Sequence, residues 1–152
     1  MRFRFRLDPV LEHRERVEQE RAGEHAQAHA DLLAAERARD EMIARRDAMR
    51  DAVVREHAEM DGQRLRATYA HLDYLDRAIA ASQQRVDACA DEAERARVRL
   101  VAAAKDRKVL ETLKEQRHET FQLDAALAEQ RDLDDQNARL FDRANPLEGI
   151  PS

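Results

Sequence analysis

The sequence predicts an all-α fold, a long antiparallel two-helix coiled-coil hairpin with a C-terminal helical overhang. Three observations predict it. The composition is rich in small and charged helix formers, Pro is confined to the ends with Gly only at Gly23, Gly62 and Gly149, and a 3-4 apolar spacing changes phase near residue 62.

Composition comes first. Of 152 residues, 39% are charged and 4% aromatic, with no Trp. Ala accounts for 28 of them, so large apolar groups are too few for a three-dimensional core but sufficient for one narrow seam. So many charges are compatible with disorder. Ala, Leu, Arg and Glu are nonetheless strong helix formers, which favours helix over coil.

Several function classes are excluded on charge and pattern. The net charge of −5 divides into about −2 over residues 1–64 and −3 over 65–152, leaving no general basic surface for nucleic acid. No stretch approaches the roughly 18 apolar residues of a membrane span. The basic start, Met1-Arg2-Phe3-Arg4-Phe5-Arg6, lacks the apolar run of a signal peptide, so a cytoplasmic location is expected. The single Cys89 precludes an internal disulfide. With no Gly-rich phosphate loop and no nucleophile motif, no catalytic, cofactor or metal site is expected.

The elements follow in order within one hairpin spanning 1–152. Phe3, Phe5 and Leu7 alternate with Arg2, Arg4 and Arg6, giving an arm with one apolar side that docks on a partner, folds back on the coil or stays loose. Asp8-Pro9 reads as an N-cap with Pro at the first helical position, opening a helix over about 9–60. Asp61-Gly62 supplies a turn over about 61–66. A second helix over about 66–143 ends before Asn145-Pro146, leaving a flexible tail over 144–152.

The seam is read from the spacing. Before Gly62 it runs Ala28, Leu32, Ala35, Met42, Met49, Val53 and Met60, interrupted by Arg39, Arg46 and Glu56. After Gly62 it runs Leu72, Leu75, Ile79, Ser82, Val86, Cys89, Ala93, Ala96, Leu100 and Ala103. The two series are out of phase, so a straight helix would turn its stripe away at Gly62. Facing residues of a hairpin have numbers of constant sum. A sum of 128 pairs Val53 with Leu75, Met42 with Val86 and Ala28 with Leu100, placing the apex near residue 64; a sum of 121 also satisfies the phase. Residues 95–117, with eight basic side chains against three acids, would face 11–33, with six acids against three Arg. At the base, however, Arg21 would meet Arg107 and Arg14 would meet Lys114, so the coil should loosen or shift there.

Helix lengths differ, roughly 78 Å against 117 Å at 1.5 Å per residue. Residues near 121–143 are left without a partner in the chain. This overhang carries Phe121, Leu123, Leu127, Leu133, Leu140 and Phe141, and residues 118–142 hold seven acids against two Arg. It is a candidate binding element.

Other candidates are weaker. His25 and His29 stand one turn apart, but two ligands without a third read as a solvated face. Cys89 lies on the seam, where a small thiol packs like Ala. Tyr69 and Tyr74 crowd beside the apex off the seam columns; they either face a partner or cap the coil end.

Taken together, the opening Phe3-Arg4-Phe5-Arg6-Leu7 with Pro9-Val10-Leu11 and Arg14-Glu15-Arg16, the segment Tyr69 to Ile79, and the block Lys105-Asp106-Arg107-Lys108-Val109-Leu110-Glu111-Thr112-Leu113-Lys114-Glu115 followed by Glu129-Gln130 and Leu133-Asp134 resemble the flagellar FliJ family. The resemblance implies a non-enzymatic, monomeric accessory of flagellar type III protein export, similar to the central stalk of rotary ATPases and peripherally associated with the inner-membrane apparatus. Implied partners are the hexameric export ATPase (FliI), the export-gate membrane protein (FlhA) and export chaperones. By position, the gate-contacting surface near the hairpin tip would comprise Tyr69, Leu72, Leu75, Ala78 and Ile79. The ATPase-facing end would comprise Arg107, Lys108, Leu110, Leu113, Lys114 and Arg117. Two alternatives remain at this point: the equivalent stalk of a virulence type III secretion system, and a self-associating coiled-coil scaffold.

Overall fold

The computed structural model describes residues 2–145. Helix α1 spans Asp8–Glu56, a 3-10 turn spans His57–Glu59, and helix α2 spans Gly62–Ala144. There is no strand among the described residues. The predicted tail beyond Asn145, including the stop at Pro146, lies outside them. The chain divides into two compact units, Arg14–Lys105 and a second unit in which the N-terminal residues up to His13 join the chain from Asp106 onward.

In the unit Arg14–Lys105 the two helices pack antiparallel through the predicted seam. Ala28, Ala35 and Val53 of α1 are buried, as are Leu72, Leu75, Val86, Ala93, Ala96 and Ala103 of α2. Each of these falls on a predicted column, because residues three and four apart share one helical face. The large members lie toward the turn. Burying a Val or Leu side chain contributes about 1.5–3 kcal/mol, so Val53, Leu72, Leu75 and Val86 carry most of the apolar stabilisation. Farther from the turn, Ala28, Ala93 and Ala96 cluster with Leu32 packed against them. Their small side chains let the two backbones approach closely.

The polar interruptions of the seam are resolved by reach. Arg39 and Arg46 have side chains only 23% and 22% exposed. Their stems lie along the seam while their heads stay at its edge. The Arg39 guanidinium donates to Gln83 Oε1 at 3.1 Å, and that of Arg46 to Asp76 Oδ1 at 3.4 Å. Arg50 donates to the other oxygen of Asp76 at 3.5 Å.

These contacts also correct the register. The paired numbers sum to 122 for Arg39–Gln83 and Arg46–Asp76, 126 for Arg50–Asp76 and 123 for Glu24–Arg99. Three of the four lie within two of 121, the alternative sum that also satisfied the apolar phase, and all lie below 128. The apex accordingly sits in residues 57–61, not near 64. The physical reason is the turn itself. Glu56 leaves α1 at φ −107° and ψ 0°, and Met60 is extended at φ −82° and ψ 135°. Met60 N–H closes the 3-10 turn on the His57 carbonyl at 3.4 Å. Asp61 then caps α2, its Oδ1 accepting the Arg64 N–H at 2.7 Å. Gly62 has no positive φ and stands as an ordinary first helical residue. Of the expected Asp61-Gly62 pair, it is the cap of Asp61 that shapes the turn.

In the other unit the arm folds back. Phe5 is 5% exposed and Leu11 6%, with Phe3 and Leu7 half-buried and Arg2, Arg4 and Arg6 exposed. The predicted apolar side is therefore packed on its own chain. Asp8 is not the N-cap. Leu11 N–H already bonds the Leu7 carbonyl at 2.9 Å, so Leu7 precedes the helix and Asp8 begins it. The Asp8 carboxylate reaches Lys114 Nζ at 2.7 Å instead.

Candidate functional site: two partner-binding surfaces

Near the turn, Leu72 and Leu75 are 7% and 6% exposed, and Ala78 and Ile79 are half-buried. Helical geometry puts Tyr69 three residues before Leu72 on the edge of that buried stripe, and it remains 50% exposed. Of the five predicted tip residues, Tyr69 thus presents accessible surface, while the leucines form the packed layer beneath it. Val54, 81% exposed, joins it in a shallow groove of about 320 Å³ whose walls include Arg50, Val53, Leu72, Asp73 and Asp76. Sequence reasoning passed over Val54. Its signal was a β-branched apolar residue just off the seam column. Tyr74 faces elsewhere, 60% exposed, with its ring stacked on His71 at 5.9 Å between centroids.

The groove has the composition of a recognition surface: an aromatic and an aliphatic side chain over a rigid floor, with charges at the rim. Tyr buries a large area at small entropic loss, which favours it as an anchor.

The second surface belongs to the other unit. Lys108 and Arg117 are exposed, whereas Arg107, Leu110, Leu113 and Lys114 are half-buried. Arg107 forms an i,i+4 ion pair with Glu111 and Lys114 pairs with Asp8. Arg21 pairs with Glu24 at 3.0 Å in its own helix. Leu110 and Leu113 are packed inward, while the exposed Lys108 and Arg117, nine residues apart, carry positive charge on opposite sides of α2.

The remaining polar features are structural. His25 and His29 stack at 6.3 Å, and among the described residues no group of three potential metal ligands occurs. Cys89 is half-buried on the seam. Glu92 is held below the usual carboxylate range by hydrogen bonds from Arg99 and then Arg95, and Glu94 by one from Arg97. These are surface ion pairs along the helix. No helix among the described residues is long and apolar enough to cross a membrane.

An antiparallel helical pair with an aromatic groove near its turn and a basic segment elsewhere on α2 defines the architecture of a helical coiled-coil protein. The chain belongs to the flagellar FliJ protein family, whose model matches residues 3–146. It is therefore a coiled-coil protein of flagellar type III export. No curated protein and no solved structure matches it.

Proposed function

We propose that this chain is a non-enzymatic stalk and chaperone escort of the flagellar export apparatus, located in the cytoplasm and peripheral to the inner membrane. In this reading it acts as a monomer that binds the hexameric export ATPase through the basic segment of α2 and the export-gate membrane protein through the tip groove. One observation carries the reading: Tyr69 and Val54 stay exposed over a buried leucine layer in one compact unit, while Lys108 and Arg117 stay exposed in the other. Two surfaces of different chemistry suit two different partners, and a helical pair between partners transmits a bias without chemistry of its own. The apolar groove supplies area for the gate, and the exposed cations steer an acidic patch of the ATPase.

The test measures the two affinities separately. Tyr69→Ala with Val54→Ala should weaken gate binding at least tenfold and leave ATPase binding unchanged. Lys108→Ala with Arg117→Ala should do the reverse. Both pairs are exposed, so helicity should be retained in each. Equal loss of both affinities accompanied by loss of helicity would make these residues structural and overturn the two-surface assignment.

A further inference from the structure

We propose that the face of α2 from Phe121 to Asp132 is a docking surface for a basic, aromatic-bearing segment of another protein. This surface is distinct from the two above and does not depend on them. The protein's own arm shows the chemistry the face accepts. The Phe3 ring meets His118 edge-on, with centroids 4.9 Å apart and planes at 76°, and lies tilted on Phe121 at 5.5 Å. Phe3 and Phe5 point inward between exposed Arg2, Arg4 and Arg6. A basic-aromatic alternation is thus already seated at the head of this face.

Beyond Phe121 the same face continues uncovered. His118, Phe121, Ala125, Ala128 and Asp132 recur at spacings of three and four, which places them on one side of the helix. Every described residue after Phe121 is exposed. The surface following Phe121 is a groove of about 520 Å³ with Ala125 and Ala128 on its floor and Asp124, Glu129 and Asp132 among its walls. A floor of methyl groups leaves room for large side chains from an occupant, the same large-on-small complementarity that close packing requires. The exposed Leu123 and Leu127 belong to the opposite side of the helix and are not part of this groove.

Charge decides the occupant. Residues 118–142 hold seven acids and two Arg. A second copy would bring its own acidic overhang against these acids while its arm is already seated on its own chain, and an anionic membrane would be repelled by the same acids. A segment carrying Arg or Lys between aromatic side chains satisfies both the floor and the walls.

The test uses the full chain and a labelled hexapeptide with the arm's own sequence, residues 2–7, followed by fluorescence anisotropy. Saturable binding is expected. It should weaken at least tenfold in an Ala125→Arg, Ala128→Arg double variant, whose exposed, helix-compatible changes are checked by circular dichroism. Peptides with Ser for Phe or Glu for Arg should also lose at least tenfold. Equal binding of the Ser peptide would reduce the effect to charge and overturn the proposal. So would binding that ignores the double variant but tightens when Phe3 and Phe5 are changed to Ser, which would put the peptide in the arm's own seat. Concentration-dependent dimerisation abolished by Ala128→Arg, seen by sedimentation, would make a second copy the occupant and overturn it equally.

Discussion

Lys114 donates to the Asp8 carboxylate at 2.7 Å, joining residues 106 positions apart. The contact fastens the start of α1 where the arm lies. The two side chains are 41% and 42% exposed, so the pair is screened, and its loss should cost no more than about 1 kcal/mol. Lys114→Ala should therefore leave the global unfolding midpoint nearly unchanged while raising amide exchange over residues 5–11. The double reversal Asp8→Lys, Lys114→Asp should restore protection.

Arg46 sits on a seam column and carries its charge to Asp76. A polar residue at such a position lowers stability while specifying register and oligomeric state. Arg46→Leu should raise the thermal midpoint by an amount equivalent to about 1 kcal/mol and introduce concentration-dependent association, read by sedimentation. Asp76→Ala, which removes the inter-helix partner of both Arg46 and Arg50 and leaves Arg46 only its neighbour Asp47, should lower the midpoint without association.

Ala96 is 2% exposed and clusters with Ala28 and Ala93. A larger side chain there must push the backbones apart, a cost of about 1–3 kcal/mol. Ala96→Leu should shift urea unfolding by that amount. Val98→Leu, at a position 54% exposed, should be neutral within error.

The depressed carboxyls of Glu92 and Glu94 give a direction in pH. A carboxyl whose folded-state pKa is lowered adds stability above its unfolded value, and that stability is lost as pH falls through the folded value. Thermal midpoints should accordingly decline as pH drops below the ordinary value of 4.5. Added salt should shrink the effect because both groups are at the surface. A Glu92→Gln, Glu94→Gln variant should show a shallower decline over the same window.

How far the sequence alone reached depends on which force set each feature. The seam was legible because burial follows a 3-4 period, and every buried residue of α2 lay on the columns it defined. The register was not, because alanine layers fit at sums of 121 and 128 alike, and alanine cannot discriminate between slipped pairings. Charges and turn length discriminate instead. Arg39 found Gln83, Arg46 found Asp76, and the turn closed at Met60 through a 3-10 bond and the Asp61 cap. The arm's alternation correctly gave one apolar side, but only packing could show that side against its own chain. The overhang's apolar residues were legible as a candidate binding element but were not assigned to faces; Leu123 and Leu127 stand opposite the groove that begins at Phe121. At the tip, Tyr69 was legible as a residue off the columns, and Val54 was missed because a lone exposed valine has no periodic signature.

The central claim is that one chain engages the export ATPase and the export gate through separate surfaces. Mixing the purified chain with both partners and measuring the mass of the complex tests it most directly. The account predicts a ternary complex in which saturating one partner leaves affinity for the other unchanged within about twofold. Mutually exclusive binding, with each partner displacing the other, would contradict it.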